Sequence, residues 1–442
     1  MRLMHYILGF PPYRSGGMTK FAFDLMKVQS KDHPVMALWP GRMMLFSKNI
    51  KIMKLESVEG IESFELVNPL PVSLDEGIVK PYRFMVPCEI TVFIDFLKHT
   101  KPDVIHIHTL MGLYWEFIKA ANELGIRTIF TTHDYFGLCQ RVNLFRRGDV
   151  CQNNGECRNC ADCNTNGLPL WKIYLMQSSL YRSLKNLAVV KVLRRSHRTA
   201  IFQIDNKIPA TRNVKSEEYK ELRNYYSDML ELISLIHFNS TLARDVYLNY
   251  VKPRSWKVIS ISHGDVSDHR DEIQWKPKDE LRITYLGPAR ALKGFYILKE
   301  ALDELWDGGK RDFSLKLFTP VKNPSPYMEI RPGGYMTDEL KGIFENTDVM
   351  VAPSIWYETF GFTVIEAFSY GVPIIISDHV GAKDVVAEAA IIVKAGSVRD
   401  LKEAIESLTE EFQRKERKQI KSLPGPKTLD ILSSELRDLY CG

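Results

Sequence analysis

The sequence predicts an α/β protein of two doubly wound domains, each a parallel sheet with helices on both faces. Short apolar, β-branched runs alternate with stretches of helical period, and the strand-like runs are apolar throughout, as strands buried on both faces must be. At 442 residues the chain exceeds one ordinary core, so two domains are expected.

The first series of strands is predicted at 3–8 (LMHYIL), 104–108 (VIHIH), 128–133 (TIFTTH), 235–239 (LIHFN) and 257–262 (KVISIS). The second is predicted at 282–287 (RITYLG), 314–319 (SLKLFT), 349–354 (VMVAPS), 373–377 (PIIIS) and 390–394 (AIIVK). Helical stretches lie between them, as in KFAFDLMKV, where Phe21, Leu25 and Val28 recur at helical spacing. The polar segment 265–280, rich in charge and carrying a proline, separates the two series and reads as a linker. The domains are therefore placed at 1–265 and 266–442, with a last helix at about 427–440 whose return onto the first domain is left open.

Apolar and charged fractions of 45% and 26% are those of a soluble globular protein, and a net charge of +5 is too mild to call for nucleic acid, which is not expected as a partner. No apolar run is long enough to span a bilayer. The N-terminus runs into Pro11-Pro12 without a cleavage site and reads as a first strand, so a cytoplasmic protein is expected.

Ligands of open parallel sheets bind at the carboxyl ends of the strands. Those ends carry Gly16-Gly17, His108, His133, Asn239-Ser240, His263, Gly287 and Ser354, which suits a ligand held between two facing edges. Beyond Ser354, the stretch SIWYETFGFTVIEAFSYGVPIIISD places Glu358 and Glu366 in otherwise core-like sequence. A carboxylate taken out of water needs a partner, a pKa shift or a ligand. Residues 361–370 are helical in character and closed by Gly371 and Pro373, so Glu358 sits on the loop entering the helix and Glu366 within it. The amides around Phe360 to Thr363 make an anion site. From spacing alone, two readings stand level. The carboxylates either bind a ligand such as a sugar nucleotide, or merely favour a helix dipole and solvent.

The stretch PSIWYETFGFTVIEAFSYGVPII resembles the E-x7-E segment of family 4 glycosyltransferases, which have the GT-B fold and retain anomeric configuration. The resemblance implies that Glu366 binds the nucleotide ribose and Glu358 the transferred sugar, while amides at Phe360, Gly361 and Phe362 face the diphosphate and sugar. PPYRSGGMTKFAFDL resembles the family's glycine-rich loop, with Gly16 and Gly17 permitting close approach to a diphosphate at a helix start. YLGPARALKG resembles its glycine-to-lysine phosphate clamp, with Lys293 as diphosphate ligand. It departs from the pattern at Pro288, where an arginine is usual, and Arg290 is the candidate replacement. TTHDYFGLC resembles the segment near the donor sugar, which makes His133 the candidate catalytic histidine, bonded to the sugar or to a leaving-group oxygen. Asp-x-Asp, Gly-x-Gly and Walker-type loops are absent, which fits a transferase that needs no catalytic cofactor or metal.

Cys139, Cys151, Cys157, Cys160 and Cys163 crowd one stretch and end in C-x2-C-x2-C, a spacing that converges thiolates on one ion. A structural zinc on four of them is expected, with an iron–sulfur cluster and unliganded thiols as alternatives. Residues 164–204 follow with seven basic residues (Lys172, Arg182, Lys185, Lys191, Arg194, Arg195, Arg198) and no acid, interleaved with apolar side chains. A peripheral contact with the inner face of the membrane and a solvated basic face are equally good readings.

The expectation is thus a retaining glycosyltransferase that moves a sugar from a nucleoside diphosphate donor to a saccharide or lipid-linked acceptor, in surface polysaccharide synthesis by family habit. The alternatives are a GT-B epimerase or phosphorylase, or a non-catalytic zinc-bearing adaptor.

Overall fold

The computed structural model describes residues 1–44, 47–152, 156–179, 181 and 215–442. The first half contains strands β1 (Leu3–Tyr6), β2 (Val35–Pro40), β3 (Lys51–Val58), β4 (Ile61–Val67), β5 (Val104–Ile107) and β6 (Arg127–Thr131). A small hairpin, β7 (Phe145–Arg146) with β8 (Asp149–Val150), is followed by β9 (Leu235–Phe238) and β10 (Trp256–Val258). The second half contains β11 (Leu281–Tyr285), β12 (Phe313–Leu317), β13 (Met328–Ile330), β14 (Val349–Ala352), β15 (Ile374–Ser377) and β16 (Ala390–Val393).

These strands form two sheets of order β10-β9-β6-β5-β1-β2-β4-β3 and β13-β12-β11-β14-β15-β16. All neighbours are parallel except β3 and β4, which pair antiparallel at the edge. The fold is α/β with two doubly wound sheets. Each of the ten predicted runs becomes a strand, and most stop short at the carboxyl end, where polar residues leave the ladder. Strands β2, β3, β4 and β13 of the two sheets, and the small β7–β8 hairpin, were not anticipated. The reason is clearest for β3, which alternates exposed and half-buried residues and so offers no apolar run.

Register places the histidines of the first sheet on one face. His5 lies opposite His106 across β1 and β5, and Thr131 lies opposite His237 across β6 and β9. Alternation along a strand adds His108 and His133 to the same side. Two helices cover that face, Gly17–Gln29 and Leu429–Cys441, with Phe21, Leu25, Leu432 and Leu436 fully buried between them and the sheet. The last helix thus lies on the first half of the molecule. The same apolar layer continues without a break into the second half through Phe360, Val364, Ile365 and Ile374. Each such side chain, fully buried, stabilises the fold by about 1.5–3 kcal/mol.

Segment 265–280 has no regular secondary structure but is fastened to the second half. Arg270 donates to the carbonyls of Ile420 and Leu423 at 2.7 and 2.9 Å, and Trp275 donates to Asp348 at 2.6 Å. Among the described residues, no helix is long and apolar enough to cross a membrane. Of the basic segment, Arg182 through Arg198 lie outside the described residues. Within the described part, Trp171 and Leu175 of the Leu170–Met176 helix are exposed.

Candidate active site

The two halves meet along the carboxyl ends of their strands. Ser240, at the start of the Thr241–Leu248 helix, donates to the Thr359 carbonyl at 2.6 Å, and Thr359 Oγ1 donates to the His133 carbonyl at 2.9 Å. Gly381 packs so closely here that a Cβ on it would stand 2.1 Å from the Thr359 carbonyl oxygen. These contacts hold the loop carrying Glu358 against the strand end carrying His133.

Two helix N-termini face each other across this junction. Gly16 precedes the Gly17–Gln29 helix with φ +121°, a conformation that disfavours any side chain. A Cβ on Gly17 would meet the Phe362 ring at 3.2 Å. Phe362 opens the Phe362–Ser369 helix, preceded by Gly361 at φ +108°, with Phe360 buried behind it. Gly17 and Phe362 thus bring the two helix starts, with Gly16 and with Phe360 and Gly361, against each other, and the first amides of each helix have no partner within it.

On the second half, Lys293 ends a short 3-10 turn that Gly294 closes at φ +72°. A side chain on Gly294 would begin 1.7 Å from the Pro353 carbonyl oxygen, so the chain can turn here only at glycine. That turn brings Lys293 Nζ to 2.5 Å from Glu358 Oε1 and 5.2 Å from the centre of the Trp356 ring. The other Glu358 oxygen accepts from Ser354 Oγ at 2.5 Å. Sequence reasoning cast Lys293 and Glu358 as separate ligand contacts, whereas the structure joins them as an ion pair. Arg290 reaches in the other direction, placing NH1 3.5 Å from Asp75 of the first half.

Glu366 projects from the second turn of its helix. Its Oε1 lies 3.1 Å from His263 Nε2 without the alignment of a hydrogen bond, and its Oε2 is buried with no hydrogen-bond partner among the described residues. Leaving a buried carboxylate oxygen unpaired costs about 1–3 kcal/mol or more, which is the signature of a group built to receive a donor. His263 in turn meets the Phe362 ring edge-to-face at 5.1 Å.

His133 packs on Phe21 at 4.9 Å and is partly exposed. Burial of its ring lowers its pKa to about 3, so the imidazole is neutral at physiological pH. The next residue, Asp134, is pushed up to about 6 by burial, although the Phe136 amide donates to it. His133 Nε2 lies 3.2 Å from His108 Nδ1. The sequence singled out His108 and His263 by position, but not His5, His106 or His237. The available signal was the alternation VIHIH, which puts His106 and His108 on one face.

The five cysteines gather beside the hairpin and the Cys160–Asn164 helix, and all are free thiols. Cys157 and Cys160 are hydrogen-bonded to each other, Cys139 feels the charge of Cys160, and Cys157 feels that of Cys139. Among the described residues, the one set of three candidate metal ligands with atoms within 4.8 Å of one another is His5, His106 and His108. The thiols are neighbours without converging to that spacing.

Two family models match the chain. The model described as Glycosyltransferase Family 4 covers residues 15–199, and that described as Glycosyl transferases group 1 covers residues 329–422. The chain belongs to family 4 of the glycosyltransferases. Among solved structures, this glycosyltransferase is similar to sucrose-phosphate synthase from Thermosynechococcus elongatus, at 14% identity and TM-score 0.55 over 100% of both chains. It is also similar to the Anabaena protein HepE solved in complex with UDP and glucose, at 12% identity and TM-score 0.56 over 100% of both chains. A UDP-forming α,α-trehalose-phosphate synthase from Burkholderia xenovorans, solved in complex with glucose-6-phosphate, gives 11% identity and TM-score 0.58 over 100% of both chains. At these identities the likeness is one of fold, and the fold is GT-B. No curated protein matches the sequence of this glycosyltransferase.

Proposed function

We propose that this glycosyltransferase retains anomeric configuration while moving a sugar from a nucleoside diphosphate donor to an acceptor hydroxyl. The observation that carries the reading is the grouping of Lys293, Glu358 and Glu366 at the strand ends of the second sheet, around a helix N-terminus that faces Gly17 of the first half. The diphosphate meets the amides of residues 360–362 and the Lys293 ammonium, and the buried Oε2 of Glu366 receives a ribose hydroxyl. A diphosphate at Lys293 competes with Glu358 for the same ammonium. Its arrival releases a Glu358 oxygen to accept from the sugar. Charge on the leaving diphosphate is then stabilised by groups already in place, with the leaving phosphate taking the acceptor proton. HepE, solved with UDP and glucose, and the UDP-forming synthase support a nucleotide-sugar donor for this fold. The acceptor is a saccharide, free or lipid-linked, in surface polysaccharide synthesis.

Calorimetric titration with a panel of nucleoside diphosphates tests this reading. Glu366→Ala and Lys293→Ala are each expected to weaken the tightest binder about tenfold or more, the loss of a charged hydrogen bond. Affinity unchanged in both variants overturns the assignment.

The proposal extends to a structural zinc, which four of Cys139, Cys151, Cys157, Cys160 and Cys163 would hold through their thiolates and which would brace this loop. Elemental analysis of the purified chain checks it. About one zinc per chain is expected, lost on replacing Cys157 and Cys160 by serine.

A further inference from the structure

Where the two halves meet, a side chain of the first and a side chain of the second each keep a polar atom unmet. His263 Nε2 and Glu366 Oε2 are both buried without a hydrogen-bond partner among the described residues. The same nitrogen lies 3.1 Å from the other Glu366 oxygen, out of hydrogen-bond alignment. The sequence marked His263 only by its place at a strand end and gave it no role. Its side chain is 3% exposed and that of Glu366 15%, so what access the pair has is on the carboxylate side.

The His263 ring is held from its own half. The Gly264 amide donates to Asp24 Oδ2 at 2.9 Å. Lys20 pairs with that same oxygen at 3.0 Å and with Asp265 at 2.8 Å. The turn 263–265 is thereby fastened to the Gly17–Gln29 helix, while the ring itself rests edge-to-face on Phe362. Its Nδ1 accepts from the Asp265 amide at 3.3 Å. An amide N–H can only donate, so Nδ1 holds the lone pair and the ring proton is on Nε2. His263 therefore presents a donor and Glu366 an acceptor, from opposite halves. One atom that satisfies both must accept on one side and donate on the other. A hydroxyl does this. A phosphate or carbonyl oxygen has no proton for Glu366, and an amide N–H has no lone pair for His263.

We infer that His263 is a second ribose ligand: its Nε2–H donates to the same ribose hydroxyl that donates to Glu366, so one hydroxyl of the nucleotide is held from both halves at once. The inference rests on the proposed function for the ribose at Glu366 and adds its partner from the first half. Recognition of the ribose then belongs to the junction and not to the second half alone. With the hydroxyl present, one atom satisfies the buried N–H and the buried carboxylate oxygen together. With it missing, both stay unpaired, so a deoxynucleotide is rejected by two unmet groups instead of one. His263 stands two residues before the segment 265–280, which ties the hydroxyl to the point where the chain passes from one half to the other.

Calorimetric titration of the full chain with UDP, GDP, ADP and CDP, then with the 2′-deoxy and 3′-deoxy forms of the tightest binder, tests this. In the unaltered protein, loss of one of the two hydroxyls is expected to weaken binding about tenfold or more. In His263→Ala the penalty for that same missing hydroxyl is expected to shrink to about threefold or less, because variant and analogue remove one shared contact. His263→Gln, whose amide keeps a donor, is expected to restore part of the discrimination. A penalty that keeps its full size in His263→Ala for both analogues overturns the inference, as does an unaltered protein indifferent to both hydroxyls. Melting temperatures of the ligand-free variants identify a mere clamp between the halves: it lowers the midpoint while ribo- and deoxynucleotides weaken equally, and that outcome also overturns the inference. Ribonucleotide binding that depends on Glu366 but not on His263 removes this inference alone, whereas loss of neither in Glu366→Ala removes the proposed site with it.

Discussion

At the edge of the first sheet the polar groups are neutral rings gathered on one face, whereas at the edge of the second they are an ammonium, two carboxylates and a hydroxyl. The difference follows from what covers each edge. The first is roofed by two apolar helix faces, and there burial disfavours charge so strongly that five imidazoles stay neutral. The second opens beside a helix N-terminus and a glycine turn, where Lys293 and Glu358 satisfy one another. One half offers hydrogen-bond direction, the other offers charge. A ligand with a diphosphate at one end and hydroxyls at the other uses both.

The largest way to break this comparison is on the charged side. Lys293→Ala and Glu358→Gln are each expected to lower turnover about 10²–10³-fold, measured as nucleotide release with saturating donor. Less than a tenfold change would place the chemistry elsewhere.

On the neutral side, pH is the sharper tool. The folded pKa values of the five histidines lie below the unfolded value of 6.5, so the unfolded chain binds more protons between pH 6.5 and about 4. Stability is greatest above pH 6.5 and falls with acidification, by about 1.4 kcal/mol per pH unit for each histidine within the window. Asp134, raised to about 6, has the opposite sign and offsets one of the five. Denaturant midpoints measured from pH 7.5 to 5 should fall steadily, and a flat profile would contradict the neutral network.

Thr131→Val removes the hydroxyl that joins His106 to His237, leaving a ring nitrogen of each without its partner. A loss of about 1–3 kcal/mol in unfolding free energy is expected, with nucleotide affinity unchanged. Smallest of all, Asp75→Asn removes the half-exposed partner of Arg290 and should change stability by less than about 1 kcal/mol.

What the sequence revealed divides along the same line. The strands were legible because a parallel strand buried on both faces needs an unbroken apolar run, and Glu358, Glu366 and Lys293 were legible because family-like patterns surround them. The pairing of Lys293 with Glu358 was not, since the two are 65 residues apart and meet only through the turn that Gly294 permits. The histidine cluster was less visible still. Apart from His106 and His108, its members come from different strands, and only register sets His5 beside His106. Its Tyr440 link joins residues 334 apart, a distance no local pattern spans.

That last link has a consequence for synthesis. While a ribosome is still extending the chain, β1, β5 and β6 can pair and collapse, yet Gln29 and His106 still lack the hydroxyl that joins them. The first half by itself therefore leaves the Gln29 amide and the His106 ring nitrogen unmet in its interior until the Leu429–Cys441 helix docks, so isolated first-half packing is incomplete without that helix.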